Sequence, residues 1–336
     1  MKRNNFLDVM KGLCILFVVV THYNWSNQER LNYLFPFWIA MAVPMFMIIS
    51  GYLYAKSYQK NDIVHISEAY SIHFIWKKIV RYTSPFLMAY IVEIVCLVLS
   101  EQSISIEKLI KMLLTGGEGK GSYYYPIMLQ FIFVFPIIYF IIKKYKEKGL
   151  ILCGVMNLAY EILQWAYSVD GDTYRLLLFR YLLVIAVGCY IAMEDVKIEW
   201  KKSLICMPIG IIYIVLVCYM KSESIFIEHW RKTSCVACLY IIPIAMYLIK
   251  NCTIRCKVLE FLGKASFNIF FVQMVYYEFL SKKVYAVTEH RAAELLINVT
   301  VIVVVGVVFY LVENYFTNKL IKNISFCMEK KSHLAR

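Results

Sequence analysis

The chain has 336 residues, of which 61% are hydrophobic and only 18% charged, too little polar surface to coat a soluble globule of that size, so it reads as an integral membrane protein. A formal net charge of +13 would suit a nucleic-acid binder, but the Lys and Arg residues gather in alternate connections between apolar runs, as membrane topology demands, and no nucleic acid is expected as a partner. The runs are too long and unbroken for barrel strands, which leaves the helix as the spanning element.

In chain order, runs long enough to cross a hydrocarbon core fall near 6–25, 35–55, 80–100, 122–142, 149–167, 176–193, 203–220, 233–249, 258–280 and 293–312. They predict an all-α, polytopic membrane helical bundle of about ten transmembrane helices. Short connections predict one domain over 1–320, with a short basic tail over 321–336. No signal peptide is expected, because the first run is long and lacks a small-residue cleavage site. With a cytoplasmic N-terminus, the basic groups Lys56 to Arg81, Lys143 to Lys148, Lys197 to Lys202 and Lys250 to Lys257 lie inside. Acids such as Glu29, Asp170, Asp172 and Glu228 then lie outside, and an even number of spans returns the C-terminus to the cytoplasm.

The first run, "FLDVMKGLCILFVVVTHYNW", contains Asp8, Lys11 and His22. At about 100° per residue, Lys11 and His22 stand roughly 20° apart around the axis and Asp8 and His22 roughly 40°, so all three share one stripe. A charge in hydrocarbon costs about 2.5–3.5 kcal/mol even on mild scales, so the stripe should face the protein interior or a wet cavity. Each residue also has a plainer reading. Asp8 suits the positive end of the helix dipole, Lys11 can snorkel to headgroups, and His22 can be an interfacial histidine.

Ahead of the third run, "WKKIVRYTSP" places Lys77 and Arg81 four apart on one helix face. On the cytoplasmic side the pair fits either an anion such as phosphate or lipid headgroups. "GGEGKG" at 116–121 lacks the strand and the Ser or Thr of a nucleotide loop and is expected to be a flexible extracytoplasmic connection. "DGD" at 170–172 reads as an exposed acidic turn. Glu93, Gln130, Glu161, Gln164, Arg180 and Gln273 lie in or near apolar runs, where each can pair with another helix. Of the 11 cysteines, Cys235, Cys238, Cys252 and Cys256 loosely mimic zinc spacing, but about 14 helical residues between the pairs separate them by roughly 21 Å. No metal is expected.

"FLDVMKGLCILFVVVTHY" resembles the first span of the membrane acyltransferase type 3 family. "VPMFMIISGYL" (43–53) is similar to its second-span signature, "KKIVRYTSP" to its basic pair with following proline, and "FLGKASFNIFFVQ" (261–273) to a late span. The resemblance runs in order over almost the whole chain. It implies a multi-pass plasma-membrane O-acyltransferase, with both termini cytoplasmic, that moves an acyl group from cytoplasmic acyl-CoA, typically acetyl-CoA, to a hydroxyl of a cell-surface polysaccharide or lipid-linked sugar. By the same resemblance His22 matches the essential histidine and acts as general base or acyl relay. Lys11, Lys77 and Arg81 take the donor, Asp8 orients Lys11, and no cofactor is bound. Lys stands for Arg at positions 11 and 77, which keeps the charge but loses the bidentate fork. Gln273 stands where many relatives have His. No further domain is expected after the last span, as in a stand-alone form. A transporter or flippase for a small or lipid-linked solute is the rival reading, and a polyprenyl-phosphate glycosyltransferase a second.

Overall fold

The computed structural model describes residues 4–100, 104–193, 200–281 and 290–334. Every regular element among them is helical. In chain order these are α1 (Asn5–His22), α2 (Asn27–Asn32), α3 (Ala42–Lys60), α4 (Ile66–Ala69), α5 (Ile72–Leu99), α6 (Ile106–Thr115), α7 (Tyr124–Ala166), α8 (Gly171–Arg175), α9 (Leu182–Ala192), α10 (Trp200–Ser203), α11 (Cys206–Ile214), α12 (Cys235–Cys238), α13 (Ile241–Asn251) and α14 (Lys257–Val275), followed by a C-terminal helix, Arg291–Leu334. Single turns of 3₁₀ helix precede α3, α9 and α12, and single turns of π-helix extend α11 and α14.

Among the described residues, seven helical stretches are long and apolar enough to cross a membrane, and Leu178–Ala192 and Ile241–Asn251 are shorter apolar helices. The ten predicted runs therefore fall on fewer long helices. Two runs share α7, whose helical path breaks at Lys146 (φ 49°, ψ −119°). The chain turns back there: a Cβ on Gly149 would lie 2.9 Å from the carbonyl oxygen of Ile141, whereas eight residues of straight helix rise about 12 Å. The runs near 176–193 and 233–249 are shortened because each opens on irregular turns before its helix begins. Of the Lys197 to Lys202 group, Lys197 lies outside the described residues and Lys201 and Lys202 lie on α10.

The chain divides into two compact units. Met1–Ala69 with Phe133–Ser266 forms the first, and Tyr70–Ile132 with Phe267–Arg336 the second. In the first unit α3 packs along α9. Their approach depends on glycine: a Cβ on Gly51 would collide with the Ile185 carbonyl, and one on Gly188 with the Ile48 carbonyl. Small residues let helix backbones meet in this way where lipid supplies no hydrophobic drive between them. Beneath the contact, Met47, Ile48, Ile49, Ile185 and Val187 are fully buried. In the second unit Phe86 stacks on Tyr125 with centroids 3.7 Å apart, and Thr317 of the C-terminal helix donates to Ser84 Oγ of α5 at 2.6 Å. Large apolar side chains such as Ile91, Ile151, Val155 and Val304 stay exposed, which suits lipid rather than water.

Candidate active site

In the first unit, α1 starts cleanly. Asn4 caps it by accepting the Phe6 N–H at 3.1 Å. Asp8 lies in the first turn, where the positive dipole end favours a carboxylate, and is only 4% exposed. It is paired: Lys11 Nζ sits 2.8 Å from Asp8 Oδ1, one turn along the same face. A buried carboxylate needs such a partner, because desolvation without one costs several kcal/mol. α14 packs against α1 here, since a Cβ on Gly263 would collide with the Asp8 carbonyl.

His22 is the last residue of α1 and is half-buried. The helix stops because Tyr23 turns extended and its N–H returns to the Val20 carbonyl at 3.2 Å. Trp25 donates its indole N–H to the same carbonyl at 2.7 Å. Around this end Trp25 meets Tyr23, Tyr33 and Phe35 with centroids 5.1, 5.7 and 5.2 Å apart. Arg30 of α2 donates to the Thr21 carbonyl at 3.4 Å, one residue from His22. Fourteen residues of helix put Asp8 and His22 roughly 21 Å apart along the axis. The stripe thus has a charged end and an imidazole end.

In the second unit, Lys77 and Arg81 both lie on α5, one turn apart; Lys77 is half-buried and Arg81 exposed. Neighbouring Lys78 places its ammonium 4.2 Å from the Phe74 ring centroid, a cation–π arrangement. The predicted site residues therefore form two groups, Asp8, Lys11 and His22 on α1 and Lys77 with Arg81 on α5. Within the first, Asp8 and Lys11 touch.

Several polar residues in the apolar runs have partners within the fold. Glu161 accepts from the Cys235 N–H at 3.1 Å and from Asn157 at 3.4 Å. Arg180, 2% exposed, donates to Thr233 Oγ1 at 3.1 Å and lies between the rings of Tyr174, Tyr181 and Trp230 at 4.9, 4.7 and 4.2 Å. The 116–121 segment differs from the expected flexible connection. Gly117 and Gly119 are buried against Glu93 and Met274, where any side chain would collide, and the Glu118 N–H reaches Glu93 at 3.4 Å. Gln273 donates to the Lys120 carbonyl of the same segment at 3.0 Å. "DGD" is a helix cap: Asp170 accepts from the Asp172 and Thr173 N–H groups, both at 2.9 Å, and the bond of the Thr173 hydroxyl first, then these backbone bonds, hold its carboxyl below the usual range.

The family model described as an acyltransferase domain, that of the acyltransferase 3 family, matches residues 4–312. The chain belongs to this family. It is an acyltransferase of the kind that transfers acyl groups other than aminoacyl groups, and a polytopic membrane protein. The transporter and glycosyltransferase readings fall with that assignment. The matched region takes in α1 from its cap to His22 and all of α5, so both groups of candidate residues lie inside the acyltransferase domain. No curated protein and no solved structure matches the chain.

Proposed function

We propose that this acyltransferase is an O-acyltransferase that takes an acetyl group from acetyl-CoA on the cytoplasmic side of the plasma membrane and delivers it to a hydroxyl of a cell-surface polysaccharide or lipid-linked sugar. The observation that carries the reading is the stripe of α1, a buried Asp8 paired with half-buried Lys11 at 2.8 Å with His22 at the far end of the same helix, inside an acyltransferase domain. Residues 1–320 act as one domain, with a basic cytoplasmic tail over 321–336.

A sugar hydroxyl is a poor nucleophile at neutral pH, and an imidazole within hydrogen-bond reach takes its proton as the oxygen attacks the thioester carbonyl. The C–O bond forms, the C–S bond breaks, and the imidazolium returns its proton to the departing thiolate of CoA. In the covalent variant the imidazole nitrogen first takes the acyl group and the hydroxyl then removes it. Both variants need His22 neutral. CoA is polyanionic, so Lys77 and Arg81, with Lys11, hold it through charge-assisted bonds. Asp8 fixes Lys11 in place and keeps it from drifting to the headgroups. The test is release of free thiol from acetyl-CoA by the purified protein in detergent, with and without glycan acceptors. Acceptor-dependent release supports the reading, and failure to bind or turn over acetyl-CoA overturns the donor assignment.

A further inference from the structure

The glycine-rich segment of the second unit runs at membrane depth. Tyr125, just past it, stacks on Phe86 at 3.7 Å and donates to Thr83 Oγ1 at 3.3 Å, halfway along α5. Glu93 lies about 9 Å short of Leu99, where that span ends. Irregular backbone is tolerated at such depth only where protein buries it or where it lines a wet cavity. This segment is held between two helices. A Cβ on Gly117 would lie 2.6 and 3.0 Å from the two carboxylate oxygens of Glu93 and 2.9 Å from Met274 Cε. One on Gly119 would lie 2.5 Å from both Cγ and the carbonyl oxygen of Met274. Gly116, Gly117 and Gly121 take φ of 89°, 117° and 99°, which only glycine adopts freely.

The segment covers oxygens whose bonding is incomplete. Glu93, Gln273 and Ser122 are each at most 1% exposed. Glu93 Oε2 accepts the Glu118 N–H at 3.4 Å, and Gln273 donates to the Lys120 carbonyl at 3.0 Å. That bond to a carbonyl fixes the amide, so the unmet Gln273 atom is its oxygen. Glu93 Oε1, Gln273 Oε1 and Ser122 Oγ are buried without a hydrogen-bond partner. Among the described residues no cationic side chain lies within ion-pair distance of Glu93, while Glu118 is tied to Lys108 at 3.5 Å. A bare carboxylate inside a span is strongly disfavoured until a counter-charge reaches it. The unmet atoms are all hard oxygens, the donors that alkali and alkaline-earth cations take. One carboxylate sets the charge: a monovalent ion leaves the site neutral, whereas a divalent ion would leave a net charge in a low-dielectric span.

We infer that Glu93, Gln273 and Ser122 form a binding site for a monovalent alkali cation, sodium or potassium, that fastens the glycine-rich segment between α5 and α14. The site uses none of the residues assigned to acyl transfer. Full-length protein, wild type and the variants E93Q, Q273L and S122A, is purified in neutral detergent in choline chloride. Each is then melted across titrations of sodium chloride and potassium chloride against choline chloride at one ionic strength, at several pH values. The wild-type midpoint is expected to rise saturably with sodium or potassium, by about 2–4 °C, as it does when one ligand binds the folded state alone. E93Q should lose the whole response, and in choline it should melt above the wild type, because it buries no unpaired charge. Q273L and S122A keep the carboxylate and remove one ligand each, so half-saturation should move to about tenfold higher ion concentration. These two carry the test if E93Q does not fold. Equal melting of the wild type in sodium, potassium and choline overturns the site, as does an ion response that all the variants retain. A midpoint that follows pH and ignores the ions also overturns it and makes Glu93 a protonated carboxyl bridged by water.

Discussion

His22 and the α5 basic pair are expected to fail in different ways when changed, because one serves the proton and the other the donor. His22→Ala should lower acyl transfer by at least the roughly 10²- to 10⁴-fold that general-base catalysis contributes, with acetyl-CoA affinity near normal. Transfer by the wild type should also decline toward acid pH, since an imidazolium can neither accept the hydroxyl proton nor attack a thioester. A His22→Ala protein that acylates glycan at the wild-type rate would make this histidine a packing residue. Lys77→Ala and Arg81→Ala should each weaken acetyl-CoA binding by about one to two decades, the equivalent of a charge-assisted bond of about 1.5–3 kcal/mol. Equilibrium binding of acetyl-CoA to the folded double variant is the check, and unaltered affinity would return both residues to the lipid headgroups. Asp8 and Lys11 were legible from sequence as neighbours one helical turn apart, and they meet at 2.8 Å. The bond from Tyr219 to the Leu31 carbonyl was not, because nothing in a one-dimensional pattern links residues so far apart in the chain.

Among the elements, α3 and α9 show what a helix contact without a hydrophobic drive depends on. Their backbones meet at Gly51 and Gly188, and a methyl at either would enter the facing carbonyl. Gly188→Ala should therefore destabilise the protein by about 1–3 kcal/mol through overpacking, despite the better helix propensity of alanine. Gly154 is the contrasting case. A Cβ there would meet only the Leu183 Cδ1 at 3.4 Å, so Gly154→Ala should be neutral or stabilising by a few tenths of a kcal/mol to about 1 kcal/mol. Thermal unfolding of the two variants in one detergent gives the comparison, and an equal effect of both would show that the α3–α9 contact is looser than its geometry. Sequence periodicity located both helices but not their glycine contact, because a buried helix is apolar all round and offers no stripe to read.

At the scale of the whole molecule, the distribution of Lys and Arg fixes the expected orientation. Both termini and the Lys143 to Lys148 turn should face the cytoplasm, with 168–175 on the opposite side. Cysteine-accessibility mapping at engineered positions checks this, and labelling of the 168–175 segment from the cytoplasmic face alone would reverse the orientation and detach Lys77 and Arg81 from a cytoplasmic donor. The break at Lys146 gives this prediction a structural footing. It turns what is otherwise a 43-residue helix, about 65 Å if straight and far longer than a bilayer core, into two arms joined by the most basic short connection in the chain.

Composition and run length alone determined that this is a helical membrane protein, because lipid leaves no other way for so apolar a chain to satisfy its backbone. Four short motifs in order determined the family, and a shared helical stripe placed Asp8, Lys11 and His22 on one face. Helical spacing is a local property, so a sequence carries it openly. The tertiary structure decided which buried charges are neutralised and by what. It joined Glu161 to Asn157 and the Cys235 N–H, and set Arg180 among the rings of Tyr174, Tyr181 and Trp230. It also folded the glycine-rich 116–121 segment against Glu93. A charge in a low-dielectric interior has its energy set by whatever lies within a few ångströms, and those neighbours come from distant segments that only the folded chain brings together.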